Sequence, residues 1–195
     1  MTIQQLRQNL LQLVKLHFGP KYNVYYADEK RTRPQLPIVT LKLKNAGMTT
    51  HPNEEWRDGA TVKSHSSTAM LEINLFTPGA QADPDAGRDA YQNSACDELT
   101  GFCHYLEYPA TEVFLFQNDL AVELEGKVLD VTAILDGIEP EFRAMAEFTV
   151  DFTQTVTDPN AKEFMDGCTC AGGSAGRNEN FTGYFTSVEI TETEE

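Results

Sequence analysis

FRAMAEFTVDFTQTV, residues Phe142–Val156, decides the fold. Every second residue gives Phe142, Ala144, Ala146, Phe148, Val150, Phe152, Gln154 and Val156. Between them lie Arg143, Met145, Glu147, Thr149, Asp151, Thr153 and Thr155. Apolar and polar positions alternate at period two, which a strand satisfies and a helix does not. At roughly 3.3 Å per residue such a strand spans on the order of 45–50 Å, well beyond the usual strand of about 5–6 residues. Two consecutive strands with a bulge between them are the other reading of this run. In either case one face needs a core over it, while the Thr and acidic residues opposite suit water or a polar partner.

The 195-residue chain has the length of one domain, with or without an appendage. Its composition, 41% hydrophobic and 10% aromatic, is enough for a core. No stretch of eighteen apolar residues occurs, so no helix is expected to span a membrane. MTIQQLRQNLLQLVKLHF at the start is interrupted by Gln, Arg and Lys at helical spacing, which argues against a secretory signal. The four cysteines, Cys96, Cys103, Cys168 and Cys170, are therefore expected to stay reduced in a cytosol, and the Asn180-Phe181-Thr182 sequon has no role.

The net charge of −15 is unevenly placed. Residues 1–44 hold eight Lys/Arg and two Asp/Glu, a net of +6; residues 45–195 hold seven and twenty-eight, a net of −21. Most of the chain would repel a nucleic-acid backbone. The basic segment suits an acidic surface instead, including that of another copy. Solvated faces alone would also account for the imbalance.

Thr2 to Phe18 reads as a helix with Thr2 and Gln5 as a capping box and Gly19-Pro20 as the stop. Its apolar stripe is Ile3, Leu6, Leu10, Leu13 and Val14, and His17 is a helix-end residue rather than a ligand. Tyr22 to Ala27 and Ile38 to Lys44 read as strands. Residues 45–67 read as a long polar loop with Asp58-Gly59 as a tight turn. Trp56 in that loop is either an anchor to the body or a contact for a partner. Thr68 to Thr77 is a strand with Ala69, Leu71, Ile73 and Leu75 on one face.

A second helix is expected after Asp83 or Asp85 as N-cap, with Tyr91, Ala95, Leu99, Phe102 and Leu106 as its buried stripe and Cys96 and Cys103 as small core residues. Glu112 to Phe116 forms another short run after Pro109. Leu120–Leu124 and Val128–Leu135 read as a hairpin across Glu125-Gly126-Lys127. Beyond Val156 a Gly-rich link leads to a strand-like piece, Tyr184 to Thr191, with Tyr184, Thr186, Val188 and Ile190 alternating. A lone strand needs a sheet edge, its own or a neighbour's.

Several signatures of catalysis are missing: the chain has no HExxH, GxxxxGK[ST] or GxGxxG. His17, His51, His65 and His104 are scattered. Cys168-Thr-Cys170 is one residue too tight for the common zinc knuckle and for a redox pair, and no metal is expected there.

Residues 1–156 place in order an N-terminal helix, RPQLPIVTLKLKN, a polar segment ending in WRDGATV, and STAMLEINLFTPG leading to DAGRDAYQNSACDELTGFCHYL. A hairpin and PEFRAMAEFTVDFTQTV follow. This order resembles the tail-terminator (neck) proteins of tailed bacteriophages. LEINLFTPG running into a helix and Glu141-Phe142-Arg143 opening a long strand are its most telling fragments, and 157–195 stand outside it as a link and C-terminal arm.

The resemblance implies an α+β fold, a mixed and mostly antiparallel sheet with two helices packed on one face, plus the extended arm. It implies a structural virion protein with no catalytic residue, cofactor or metal. About six copies would close into a ring of net charge about −90, with DNA sliding through unbound. The ring would cap the tail tube, end its polymerisation and join it to the head connector, with tube, sheath and neck proteins as partners. It would be assembled in the host cytoplasm and sit at the head–tail junction. Contacts between copies are expected from Lys30, Arg31, Arg33, Lys42 and Lys44 facing acidic neighbours, and from Trp56, Tyr184, Val188 and Ile190. Another virion subunit, of the tube or for head completion, is the alternative; a small hydrolase or metal protein using Cys168 and Cys170 is a more distant one.

Overall fold

The first helix begins where its cap is written. Gln5 N–H donates to Thr2 Oγ1 (3.2 Å) while Thr2 N–H donates to Gln5 Oε1 (2.8 Å), closing the capping box ahead of α1, Ile3–Phe18. The chain is seen in a computed structural model that describes residues 1–30, 32, 34–49, 51–57, 60–81, 91–132 and 141–158. Leu6, Leu10, Leu13, Val14 and Phe18 are the buried stripe of α1, with Ile3 half-buried at its start. Gly19, at φ +66, ends the helix and donates its N–H to Lys15 O.

The chain divides into two compact units, one of Met1–His51 with His65–Gln154, the other containing Pro52–Ser64 and the chain from Thr155 on. In the first unit, β1 (Asn23–Tyr26) runs parallel to β2 (Ile38–Met48). β2 pairs antiparallel with β4 (Ala60–Thr77), and the second unit holds β3 (Asn53–Arg57), paired with the first residues of β4. Two-residue strands β5 (Ala80–Gln81) and β6 (Tyr91–Gln92) pair with each other. Then come α2 (Ala95–Leu106), α3 (Pro109–Gln117), β7 (Leu120–Asp130) and β8 (Phe142–Asp158). The sheet runs β1-β2-β4-β8-β7, with β7 and β8 antiparallel. The fold is α+β with a mostly antiparallel sheet, as expected, and three helices occur among the described residues where two were expected.

Phe142–Asp158 is one strand, which excludes the two-strand reading. Ala144, Ala146, Phe148, Val150 and Phe152 are buried on its inner side. They join Ala69, Leu71, Ile73 and Leu75 of β4 and Leu99 and Phe102 of α2 in one core. The expected packing of β8 on the α2 stripe is present, with Phe102 and Phe148 in ring contact.

Four expectations need correction. Residues 45–67 are not a loop: β2 runs on to Met48, and β3 and the start of β4 form a hairpin. Trp56, Ala60 and Val62 are its only apolar residues, too few for a hydrophobic alternation to announce it, and the backbone pairing defines it. The second helix starts at Ala95, and Tyr91 belongs to β6. Asn93 fixes this start, accepting the Ala95 N–H (3.0 Å) and donating to Asp130 (2.8 Å); Asp83 and Asp85 lie outside the described residues.

Glu112–Phe116 lies inside α3, which Pro109 opens at its first turn. Leu120–Leu124 and Val128 onward are not two strands of a hairpin but one strand, β7. The register slips between Glu125 and Leu129, where Gly126 at φ +83 takes up the extra residues as a bulge. The segments 133–140 and 159–195, with the expected turn and trailing strand, lie outside the described residues.

Candidate functional site

Helices cover one face of the sheet, and the other is carpeted by polar side chains that bond across strands. Arg143 on β8 donates to Asn74 Oδ1 on β4 through Nη2 (2.6 Å) and Nε (3.2 Å), with its guanidinium 5.0 Å from the centre of the Phe76 ring. Asn74 Nδ2 donates to Glu72 Oε1 (2.8 Å). Lys44 of β2 pairs with Glu72 and, at 3.3 Å, with Glu147 of β8. Thr68 donates to Asp151 (2.6 Å) and Thr149 to Glu125 (2.8 Å). Strands β2, β4, β8 and β7 are thus stitched on their polar side as well as by the backbone.

The electrostatics follow from these bonds. The Glu72 hydrogen bond holds the Lys44 ammonium above its ordinary range. Burial opposes ionisation of Glu72, but the hydrogen bonds from Lys44 and Asn74 outweigh it and keep that carboxyl low. At neutral pH the cluster is charged and internally matched.

That outcome bears on the residues expected at subunit contacts. Lys44 is engaged by two carboxylates of its own chain. Lys30 and Lys42 are exposed, with Lys42 opposite Glu72 in the β2–β4 register. Trp56 sits on β3 opposite Thr61 rather than in a loop, and Glu54 beside it pairs with Lys63 at 2.6 Å. Arg31, Arg33, Tyr184, Val188 and Ile190 lie outside the described residues.

A surface not singled out from the sequence is the outer side of α3. Val113 is 54% exposed, Phe116 84%, and Tyr108 just before the helix 57%. Large apolar groups left in water at one place mark an interaction surface. The signal was present as the run Val113-Phe114-Leu115-Phe116, four apolar residues where a one-sided helix has two. Leu115 alone of the four is buried. Over the sheet, α1 packs on β1, β2 and α2, α2 packs on β7 and α3, and α3 packs on β7. Since β1 and β7 are the ends of the strand order, α1 and α3 occupy opposite ends of the helical layer.

Reactive groups among the described residues are placed for packing. Burial raises the Cys96 and Cys103 thiols, and both are free. Burial lowers the His17 imidazole, which lies against Phe18, Phe102 and Tyr105. Ser67 is buried two residues from His65 on β4, yet its hydroxyl has no hydrogen-bond partner, so the two form no nucleophile–base pair. No group of three or more His, Cys, Asp or Glu is arranged for a metal among the described residues; Cys168 and Cys170 lie outside them. No family model matches the chain, and no curated protein matches it in sequence.

Proposed function

We propose that the chain is a ring-forming structural subunit of a phage virion, a tail terminator that caps the tail tube and joins it to the head connector. The observation that supports this reading most is the β3–β4 hairpin. Asn53, Glu54 and Glu55 are exposed on it, and Val62, Lys63 and Ser64 are only half-buried. A two-stranded ribbon is marginal in water without a surface to lie on. In the proposed ring that surface belongs to the adjacent copy. Residues 157–195 serve as an arm reaching an adjacent copy, and the sequence's alternation at Tyr184, Val188 and Ile190 supports strand addition there.

The test is electron microscopy and light scattering on the purified full-length chain. Closed rings of one size are expected, and long tubes would favour a tube subunit instead. A protein that stays monomeric at every concentration would overturn the ring reading. A chain ending at residue 156 should fold but assemble poorly, and high salt should slow assembly of the intact chain. A truncated chain that still forms the full ring would remove the role given to the arm.

A further inference from the structure

We infer that neighbouring copies meet through the outer side of α3 on one and the outer side of α1 on the next, with Phe116 seated between Leu11 and Leu16. The inference rests on the ring reading for the existence of a closed assembly, and supplies the contact that builds it. Three observations carry it.

The first is position. α1 and α3 lie at opposite ends of one helical layer. Bringing different ends together is the head-to-tail contact that closes a ring. The second is shape and polarity. Val113 and Phe116, three residues apart, form an apolar ridge on α3. On α1, Leu16 is 54% exposed, and it lines one surface hollow with half-buried Leu11, Gln8, Gln12 and Lys15.

The third is charge. Helix α1 has Arg7, Lys15 and His17 and no acidic residue. Helix α3 has Glu112 and no basic one, and Glu107 and Asp119 flank it. Exposed Lys15, one residue from Leu16, and exposed Glu112, one residue from Val113, would sit on the rims of the same contact. An apolar centre with opposite charges at the rim is the ordinary anatomy of a specific interface. Two copies of either surface alone would bring like charges together, so the match is between the two different helices.

The experiment measures the concentration for half-assembly of the full chain by light scattering, with melting curves to confirm that each variant is folded. Phe116→Asp is expected to raise that concentration at least about tenfold, because Phe116 is the central apolar group. Lys15→Glu and Glu112→Lys, both at exposed sites, are each expected to raise it about fivefold. The double variant Lys15→Glu/Glu112→Lys is expected to return to within about twofold of the wild type. If the wild type forms rings and all the variants assemble equally well, the α1–α3 contact is wrong and the ring reading stands. If the double variant is no better than the singles, the pairing of these two helices is overturned. If the wild type never assembles, the ring reading itself falls.

Discussion

The rings of Phe102 on α2 and Phe148 on β8 meet edge to face, with 5.7 Å between centroids and 80° between planes. Both are fully buried, and Phe18 stacks on Phe102 from the end of α1 at 5.8 Å. This contact ties the helical layer to the inner side of β8. Phe148→Ala leaves a cavity there and is expected to lower the unfolding free energy by about 3–5 kcal/mol. Thermal or urea unfolding reads it. A transition unchanged from the wild type would mean that the contact does not hold the layers together.

Gly79 follows β4 at φ +90, and a Cβ there would lie 2.6 Å from Gln92 O and from the Phe142 ring. Gly126 has a similar φ of +83 but nothing within 4 Å. Gly79→Ala is expected to cost about 1–3 kcal/mol and clearly more than Gly126→Ala. Equal costs in denaturant titrations would show that backbone conformation, not crowding, is the constraint.

The matched cluster on the polar face predicts a pH dependence. Glu72→Gln keeps the shape but removes the charge facing Lys44, and is expected to cost about 1 kcal/mol at pH 7. The folded carboxyl titrates below its ordinary 4.5, so this stabilisation is complete above that value and lost as pH falls through the folded pKa. The gap between wild type and variant should therefore close as pH falls below 4.5 through the folded pKa. A gap that persists there would assign the effect to packing.

His17 works in a different window. Burial lowers its pKa from 6.5, so below that pH the unfolded chain binds the proton more readily than the fold. Stability from this group is full above 6.5 and declines as pH drops toward the folded pKa. His17→Gln is expected to flatten the stability profile in the range just below pH 6.5. Unfolding free energies measured across that range give the slope, and an unaltered slope would exclude His17 as its source.

What the sequence reveals depends on whether burial is one-sided. α1 and β8 each bury a single side, so their periods of 3.6 and two are legible. The β3–β4 hairpin has three apolar residues among ten, Trp56, Ala60 and Val62, and reads as loop. α3 has apolar residues all around, and four in a row leave helix and strand undistinguished. Gly126 between Glu125 and Lys127 carries the composition of a turn, and only the partner strand reveals it as a bulge. The residues expected or proposed at contacts are harder still to read. Lys44 reads as an outward cation until the sheet brings Glu72 and Glu147 beside it, 28 and 103 positions along the chain. Phe116 looks like core until its helix is seen to lie at the end of the layer.

The bulge in β7 bears on how the chain resists fibrous aggregation. β7 ends the described sheet, and an outer strand of eleven residues is a template on which further chains can stack into fibrous aggregates. The slip at Gly126 breaks its flat run midway, and Glu123, Glu125 and Lys127 around it are exposed. A chain adding along the whole strand would have to follow a kink and bury those charges. By this argument the irregularity opposes such stacking, and trimming it to an even register is expected to make the protein precipitate more readily.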